Sequence, residues 1–126
     1  MEIAIIAHDG KKDALINFLQ EYRSFFSLPD VHLLATGNTG DLARKAGFTV
    51  EKCLSGPMGG DAQIAARVAQ GMIKLVLFFR DPLDKHPHEP DIATLIRLCD
   101  VHNVALGTNH ATATLLVNAV IEIYAN

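Results

Sequence analysis

The sequence has little of what extracellular, membrane-spanning or disulfide-stabilised proteins need. Its 126 residues include no tryptophan and only two cysteines, Cys53 and Cys99, which form neither a CxxC pair nor a disulfide framework. No apolar run approaches the roughly 20 residues that cross a bilayer, and the opening segment 2–7 is too short and too acidic for a signal peptide. We therefore expect a cytoplasmic protein with reduced thiols and no membrane partner.

An excess of positive charge is also missing. Eleven Lys and Arg residues against fourteen Asp and Glu residues give a net charge of −3, and basic residues occur at most two in a row. Nucleic-acid-binding surfaces need clustered positive charge, so we expect no nucleic-acid partner. A small anionic ligand is still compatible with this composition, because backbone N–H groups at a helix start bind anions without net positive charge.

What the chain does contain is enough apolar residues to form one hydrophobic core. Hydrophobic residues make up 49% of the sequence and charged residues 20%, with a mean hydropathy of +0.20. This composition excludes a disordered chain. A length of 126 residues is typical of one domain, and we expect residues 1–126 to form a single domain.

Apolar runs and helical segments alternate along the chain. Short runs rich in Val, Ile, Leu or Phe predict five buried strands, at Ile3–Ala7, Val31–Ala35, Thr49–Leu54, Leu75–Phe79 and Val104–Gly107. Helical segments are predicted between and after them, at Lys12–Phe26, Asp41–Ala46, Asp61–Gly71, Asp91–His102 and Ala111–Asn118. The alternation indicates an α/β fold with a mainly parallel five-stranded sheet covered on both faces. The last run, Ala119–Tyr124, is a candidate edge strand, and Pro82–Pro90 is expected to form an ordered loop.

Polar segments follow every predicted strand. In open parallel sheets, ligands bind outside the carboxyl ends of the strands, so we expect binding and catalytic residues in these segments. They are His8–Lys12, Thr36–Gly40, Leu54–Asp61, Arg80–Asp91 and Thr108–Thr112.

The segment after the second strand has the composition of a phosphate-binding turn. Thr36–Gly40 offers hydroxyl groups and closely spaced backbone N–H groups at the start of a helix. The alternative is an ordinary turn in which Thr39 is the helix N-cap. Ser55 and Gly56 add small donors from the neighbouring strand end, and Lys12 adds a positive charge. Together these groups favour a phosphomonoester site, whereas the GxxxxGK[ST] and GxGxxG motifs of nucleotide-binding proteins are missing.

Asp61 and two histidines supply acid–base groups near this predicted site. Asp61 follows two glycines at a helix start, so it is either an N-cap or first-turn carboxylate or a general base. A carboxylate beside a phosphate site suits removal of a proton next to a carbonyl group, with His8 and His88 as candidate partners. Asp91 lies three residues after His88, close enough to fix the tautomer of that ring. The sequence has no HExxH motif or paired cysteines, so we expect no metal.

Five motifs, in this order and over nearly the whole chain, resemble the methylglyoxal synthase family. They are Ala7-His8-Asp9, Thr36-Gly37-Asn38-Thr39-Gly40, Ser55-Gly56-Pro57-Met58-Gly59-Gly60-Asp61, Phe79-Arg80-Asp81-Pro82 and Pro87-His88-Glu89-Pro90-Asp91. The resemblance implies a three-layer α/β/α domain with a Rossmann-like sheet, assembled as a homohexamer. It also implies a cytosolic, cofactor-free lyase that converts dihydroxyacetone phosphate into methylglyoxal and inorganic phosphate and is inhibited by phosphate.

The same resemblance implies roles for individual residues. Asp61 would be the catalytic base, with His88 and Asp91 completing the catalytic set, and Asp9 and Asp81 would be supporting acidic residues. The substrate and its phosphate would be bound by His8, Lys12, Thr36, Gly37, Asn38, Thr39, Ser55, Gly56 and His88.

Two features depart from the family pattern. Asn38 replaces the threonine of some members, and its amide can still donate to a phosphate oxygen. Family members often continue beyond the last strand with a helix that carries a basic residue, whereas this sequence stops at Ala125-Asn126. We therefore expect weaker or differently routed phosphate cooperativity.

Two other functions are compatible with the same motifs. One is a regulatory ligand-binding module of the kind that ends carbamoyl phosphate synthetases, although a purely regulatory site would not need Asp61 and His88. The other is a sugar-phosphate isomerase, which would share the enediolate intermediate but reprotonate it and release glyceraldehyde 3-phosphate.

Overall fold

A computed structural model of the chain describes residues 1–84 and 89–124, except for the side chain of Glu89, and contains a five-stranded parallel sheet. The strands are β1 (Glu2–Ala7), β2 (His32–Ala35), β3 (Val50–Lys52), β4 (Leu75–Phe79) and β5 (Ala105–Gly107). Their order in the sheet is β3-β2-β1-β4-β5, and every neighbouring pair is parallel. The predicted α/β class and the five predicted strands are confirmed.

Helices connect the strands and cover both faces of the sheet. They are α1 (Lys12–Glu21), α2 (Arg23–Phe26), α3 (Gly37–Lys45), α4 (Gly60–Ala69), α5 (Glu89–Val101) and α6 (His110–Tyr124), with short 3-10 turns at Asp9–Lys11 and Gly56–Met58. Among residues 1–84 and 89–124, no helix combines the length and the apolar character needed to cross a membrane.

The alternation of side chains along β1 divides the interior into two hydrophobic cores. Ile3 and Ile5 face the core formed with α1, α2, α3 and α6. Ala4 and Ile6 face the opposite core, formed with α4 and α5. Because successive side chains of a strand point to opposite faces, one continuous apolar strand builds both cores, which gives the predicted three-layer α/β/α arrangement.

The predicted edge strand at Ala119–Tyr124 is wrong. This run is the last part of α6, which continues without a break from His110 to Tyr124. Val117 is fully buried, and Val120 and Ile121 pack against the same core, at the i, i+3 and i+4 spacing of a helix face. Tertiary packing therefore overrides the strand preference of the β-branched residues in this run.

The structure also differs from two of the predicted helix boundaries in the first part of the chain. The helix predicted over Lys12–Phe26 is interrupted at Tyr22, whose φ of −113° and ψ of 32° lie outside the helical region. The Tyr22 hydroxyl donates to Asn118 Oδ1 of α6 at 3.0 Å, so a tertiary contact accompanies the break. Helix α3 begins at Gly37, four residues before the predicted start at Asp41.

The predicted loop Pro82–Pro90 is only partly described. Residues 82–84 form a turn, and residues 85–88, including His88, lie outside the described residues. Helix α5 begins at Glu89, so Pro90 belongs to a helix and not to a loop. Proline is well tolerated in the first turn of a helix because the N–H that it lacks has no intrahelical partner there.

Candidate active site

One cavity at the carboxyl edge of the sheet collects most of the predicted site residues. Its volume is about 380 Å³, within the range of small-molecule sites. It lies where β1, β2 and β3 end and where α1, α3 and α4 begin, as expected for a parallel sheet. The predicted residues that line it are His8, Asp9, Lys12, Thr36, Asn38, Thr39, Ser55, Gly56 and Asp61.

The remaining predicted residues lie elsewhere. Gly37 and Asp81 contact cavity residues but do not line the cavity, and Asp91 is half-buried in the first turn of α5 without lining it. His88 is outside the described residues. Asp84 lines the cavity and was missed, since no motif marked it apart from the other polar residues of its loop.

The turn from β2 into α3 presents backbone donors to the cavity. Thr36 is the N-cap residue, so the alternative in which Thr39 caps the helix is wrong. The Thr36 side chain makes no capping hydrogen bond, and the buried Thr39 hydroxyl has no hydrogen-bond partner among the described residues. The first N–H groups of a helix lack carbonyl partners one turn earlier, so this start can receive an anion.

Gly37 allows the two glycine-containing turns to approach each other. Its N–H donates to the carbonyl oxygen of Leu54 at 3.1 Å. A Cβ atom at this position would lie 3.1 Å from the backbone nitrogen of Ser55, a closer approach than nine in ten real Cβ contacts show. A larger residue would push Ser55 away from α3. The donors at the start of α3 would then lie farther from those of the turn at Ser55 and Gly56.

The segment between β3 and α4 folds back on itself and places Asp61. The Ser55 carbonyl accepts hydrogen bonds from the N–H groups of Met58, at 3.0 Å, and Gly60, at 2.9 Å. Gly59 has a φ of +105°, and a Cβ atom on Gly60 would lie 1.9 Å from a backbone oxygen. Glycine is favoured at position 59 by this left-handed backbone, and it is required at position 60 because the start of α4 lies directly against the turn that follows β3.

Asp61 lies inside the first turn of α4 with no solvent exposure. The N-cap residue is Gly59, so Asp61 is not the N-cap, whereas its predicted place in the first turn is confirmed. The positive end of the helix dipole stabilises a negative charge at this position. A buried carboxylate that lines a small cavity is well placed to exchange a proton with a bound ligand.

His8 is held by the strand beside it. Its Nδ1 accepts a hydrogen bond from the backbone N–H of Asp81 at 2.8 Å, and its ring contacts the edge of the Phe78 ring with centroids 5.1 Å apart. Because Nδ1 is an acceptor, a neutral His8 carries its proton on Nε2, an assignment made from the hydrogen bond. His8 lines the cavity, and the N–H at Nε2 is the donor of its ring once the Asp81 contact is assigned to Nδ1.

Lys12 brings a positive charge to the mouth of the cavity. It is the first residue of α1, and its side chain is only 16% exposed. Its ammonium group contacts the carboxylate of Asp9, whose side chain is 95% exposed. Because the Asp9 carboxylate is exposed and hydrated, solvent weakens the pair, and an anionic ligand in the cavity can compete with Asp9 for Lys12.

The two thiols are free, as expected, and do not act as nucleophiles at neutral pH. Burial raises the pKa of the half-buried Cys53, with a smaller opposing effect from Arg67. Burial raises the pKa of Cys99 to about 11. Both thiols are therefore protonated at neutral pH. In the described part of the chain, no three His, Cys, Asp or Glu side chains are grouped to hold a metal ion.

A larger depression of about 740 Å³ lies at the opposite end of the sheet. Its main cation, Arg67, already contacts Glu2 at 3.1 Å and also contacts Glu51. Because this charge is balanced within the protein, the smaller cavity at the carboxyl edge is the better candidate for an anionic ligand.

The fold and the cavity define a class: a parallel α/β protein with its site at the carboxyl edge of the sheet. A family model described as the MGS-like domain matches residues 14–108. The methylglyoxal synthase of Carboxydothermus hydrogenoformans is 54% identical over 120 residues, which cover 94% of this chain and 98% of that protein. The methylglyoxal synthase of Moorella thermoacetica is 50% identical over 118 residues, 93% of this chain and 91% of that protein.

A solved structure agrees with these sequence comparisons. The crystal structure of methylglyoxal synthase from Elizabethkingia anophelis matches with a TM-score of 0.83 and 40% identity, covering 91% of this chain and 75% of that chain. The chain therefore belongs to the methylglyoxal synthases, lyases that carry the MGS-like domain. This membership confirms the resemblance and favours an enzyme over a regulatory module, and a lyase over an isomerase.

Proposed function

We propose that this chain converts dihydroxyacetone phosphate into methylglyoxal and inorganic phosphate through an enediolate intermediate. The observation that carries the proposal is that a fully buried carboxylate, Asp61, lines the same small cavity as Lys12 and the start of α3. A phosphorylated ketone needs groups of both kinds, since its phosphate requires a cation and N–H donors and its acidic C–H requires a base.

The phosphate group of the substrate binds, in this proposal, at the start of α3. The N–H groups of Asn38 and Thr39 lie in the first helical turn, where the helix dipole favours an anion. Ser55 supplies a hydroxyl from the neighbouring turn, and Lys12 supplies a full charge. These donors serve the bound substrate and the departing phosphate alike.

Asp61 then removes a proton from the hydroxymethyl carbon. Water stabilises the charge of a carboxylate and so weakens it as a base, and the burial of Asp61 limits this hydration. His8 donates from Nε2 to a substrate oxygen, which stabilises the charge that develops as the proton leaves. His88, oriented by Asp91, is predicted to donate to the enediolate oxygen, and this role stays a prediction because His88 lies outside the described residues.

Elimination completes the reaction. The terminal hydroxyl of the enediolate gives up its proton to the departing phosphate as an aldehyde forms, the carbon–carbon double bond shifts toward the adjacent carbon, and the C–O bond to phosphate breaks. The resulting enolate takes up one proton on its CH₂ carbon, replacing the one that Asp61 removed, and becomes methylglyoxal. Elimination is favoured over reprotonation when the C–O bond lies out of the enediolate plane, and anchoring of the phosphate by the α3 start and Lys12 favours that alignment.

The proposal is tested by incubating the purified protein with dihydroxyacetone phosphate. We expect methylglyoxal and inorganic phosphate to appear in equal amounts, each quantified by its own assay. Formation of glyceraldehyde 3-phosphate without phosphate release would indicate isomerase chemistry. Binding of the substrate with no turnover would indicate a regulatory module.

Three further properties belong to this proposal. Inorganic phosphate inhibits by occupying the same donors, and the protein forms a homohexamer in the cytoplasm. Several large apolar side chains are more than half exposed, including Leu83, Val101, Leu115 and Ile123, and a subunit interface that covered any of them would gain from their burial. Light scattering coupled to size-exclusion chromatography should give a mass near six times 13.7 kDa, whereas a monomer mass would contradict the hexamer.

A further inference from the structure

Gln63 ties the catalytic helix to the turn that follows β3. It lies on α4, two residues after Asp61, and its Oε1 accepts a hydrogen bond from the backbone N–H of Leu54 at 2.7 Å. Gln63 does not line the cavity and belongs to none of the motifs that identify the family in the sequence. Its contact lies one residue before Ser55, where the turn begins to supply donors to the cavity.

Leu54 connects this contact to the phosphate-binding turn. Its N–H is bonded to the Gln63 side chain, and its carbonyl oxygen accepts the N–H of Gly37 at 3.1 Å. One peptide segment therefore has α3 on one side and α4 on the other. Gly37 starts the helix that would hold the phosphate, and Gln63 lies on the helix that carries the base.

We propose that Gln63 is a positioning residue that sets the distance between the phosphate donors and the carboxylate of Asp61. This inference rests on the proposed function, in which one small substrate spans both groups. If the turn moves relative to α4, the bound phosphate no longer places the reacting C–H at the carboxylate. Displacements of about 1 Å can lower rates by about 10²-fold. A loosened turn should therefore lower kcat more than it weakens the affinity for the substrate.

The contact is not required to build α4. The side chain of Gln63 is exposed, and its backbone N–H donates to the Gly59 carbonyl at 3.0 Å whatever the side chain is. Among the described residues, the Gln63 side chain makes no hydrogen bond to Lys12 or to the first turn of α3, so these phosphate donors do not depend on it for their own hydrogen bonds. Loss of the side-chain acceptor should therefore leave folding and phosphate binding close to normal.

Three variants separate positioning from a general structural effect. Gln63→Met keeps the length and helix propensity of the side chain but lacks the carbonyl acceptor. Gln63→Glu keeps an oxygen that accepts the Leu54 N–H. Gln70→Met makes the same chemical change at an exposed residue at the other end of α4 and is the matched control.

The measurements are kcat and KM with dihydroxyacetone phosphate, and the affinity and stoichiometry of inorganic phosphate binding by calorimetry. Gln63→Met should lower kcat by about tenfold while KM and the phosphate Kd stay within about threefold of wild type. Gln63→Glu should recover most of the lost kcat, and Gln70→Met should match wild type.

Other outcomes overturn the inference. A wild-type kcat in Gln63→Met, or equal losses in Gln63→Met and Gln63→Glu, would show that the acceptor does not position the site. A fall in kcat matched by a fall in phosphate stoichiometry would show unfolding instead. A wild-type protein that makes no methylglyoxal would refute the proposed function and this inference with it, whereas an active wild type with an equally active Gln63→Met refutes the inference alone.

Discussion

Helices α3 and α6 both begin at the carboxyl edge of the sheet, but their first turns are satisfied in different ways. The Asn109 side chain accepts a hydrogen bond from the Thr112 N–H at 2.9 Å, so the sequence of α6 caps its own start. Helix α3 has no such bond at its N-cap Thr36, and its first turn lines the cavity. The start of α6 therefore stabilises the fold, whereas the start of α3 leaves its N–H donors to a ligand.

The comparison shows why composition alone does not locate a binding site. Both starts carry threonine and asparagine directly after a strand, and the sequence marks both as polar strand-end segments. The two helix starts differ in whether a side chain of the protein already accepts a hydrogen bond from the backbone N–H groups of the first turn. Helix α4 resembles α3 in that its N-cap residue, Gly59, makes no side-chain capping bond, and it carries the buried Asp61.

The largest expected effect comes from removing the negative charge at α4. Asp61→Asn keeps the shape of the side chain, but an amide cannot accept a carbon-bound proton, so kcat should fall on the order of 10²–10⁴-fold. Folding should survive, because the amide keeps the volume of the carboxylate and one oxygen acceptor at the start of α4. The variant should still bind inorganic phosphate and should not exchange the hydroxymethyl proton of the substrate with solvent deuterium. Turnover like that of wild type would contradict the assignment of Asp61 as the base.

A second test concerns the charge beside the start of α3. Lys12→Met should raise KM by about 10- to 100-fold and weaken phosphate inhibition by a similar factor, because one charge-assisted hydrogen bond to the same group is lost in both cases. The increase in melting temperature that phosphate gives the wild type should shrink in parallel. Lys45→Met, an exposed lysine in the last turn of α3, is the control. If KM rose while phosphate inhibition stayed unchanged, substrate and inhibitor would not share the site.

The sequence predicts the strands well because a parallel sheet buried on both faces requires continuous apolar runs. It does not predict that β1 lies at the centre of the sheet, since strand order depends on contacts between distant segments. The error at Ala119–Tyr124 has a similar cause: β-branched residues favour a strand locally, but the core formed with α1 and β4 accepts Val117, Val120 and Ile121 as one helix face.

The site is predictable where chemistry and spacing coincide. Thr36, Ser55 and Asp61 are polar or acidic residues beside glycines at strand ends, and the structure brings them to one cavity. Gln63 and Asp84 were missed because an exposed polar residue on a helix or loop carries no signal in the sequence. The hydrogen bond that orients the His8 ring could not be predicted from the sequence either, because its donor is the backbone N–H of Asp81 and not a side chain.

A smaller effect is expected from the N-cap of α3. Thr36→Val keeps the volume and the β-branched shape that suit its extended backbone, with φ of −69° and ψ of 155°, and removes only the hydroxyl. Since this hydroxyl makes no capping bond, the free energy of unfolding should stay within about 0.5 kcal/mol of wild type. If the hydroxyl binds the substrate phosphate, KM should rise by about 3- to 10-fold. Loss of stability without a change in KM would show that α3 is an ordinary capped helix.

The smallest expected effect on activity comes from the corresponding residue of α6. Asn109→Ala removes the acceptor of the Thr112 N–H, so the free energy of unfolding should fall by about 1 kcal/mol, measured by urea denaturation. Because Asn109 does not line the active-site cavity, kcat and KM should match wild type at temperatures where the variant is folded. Asn109→Asp keeps an oxygen acceptor at the positive end of the helix and should restore the stability. An increase in KM for Asn109→Ala as large as that for Thr36→Val would mean that both helix starts serve the ligand, and the distinction between α3 and α6 would fail.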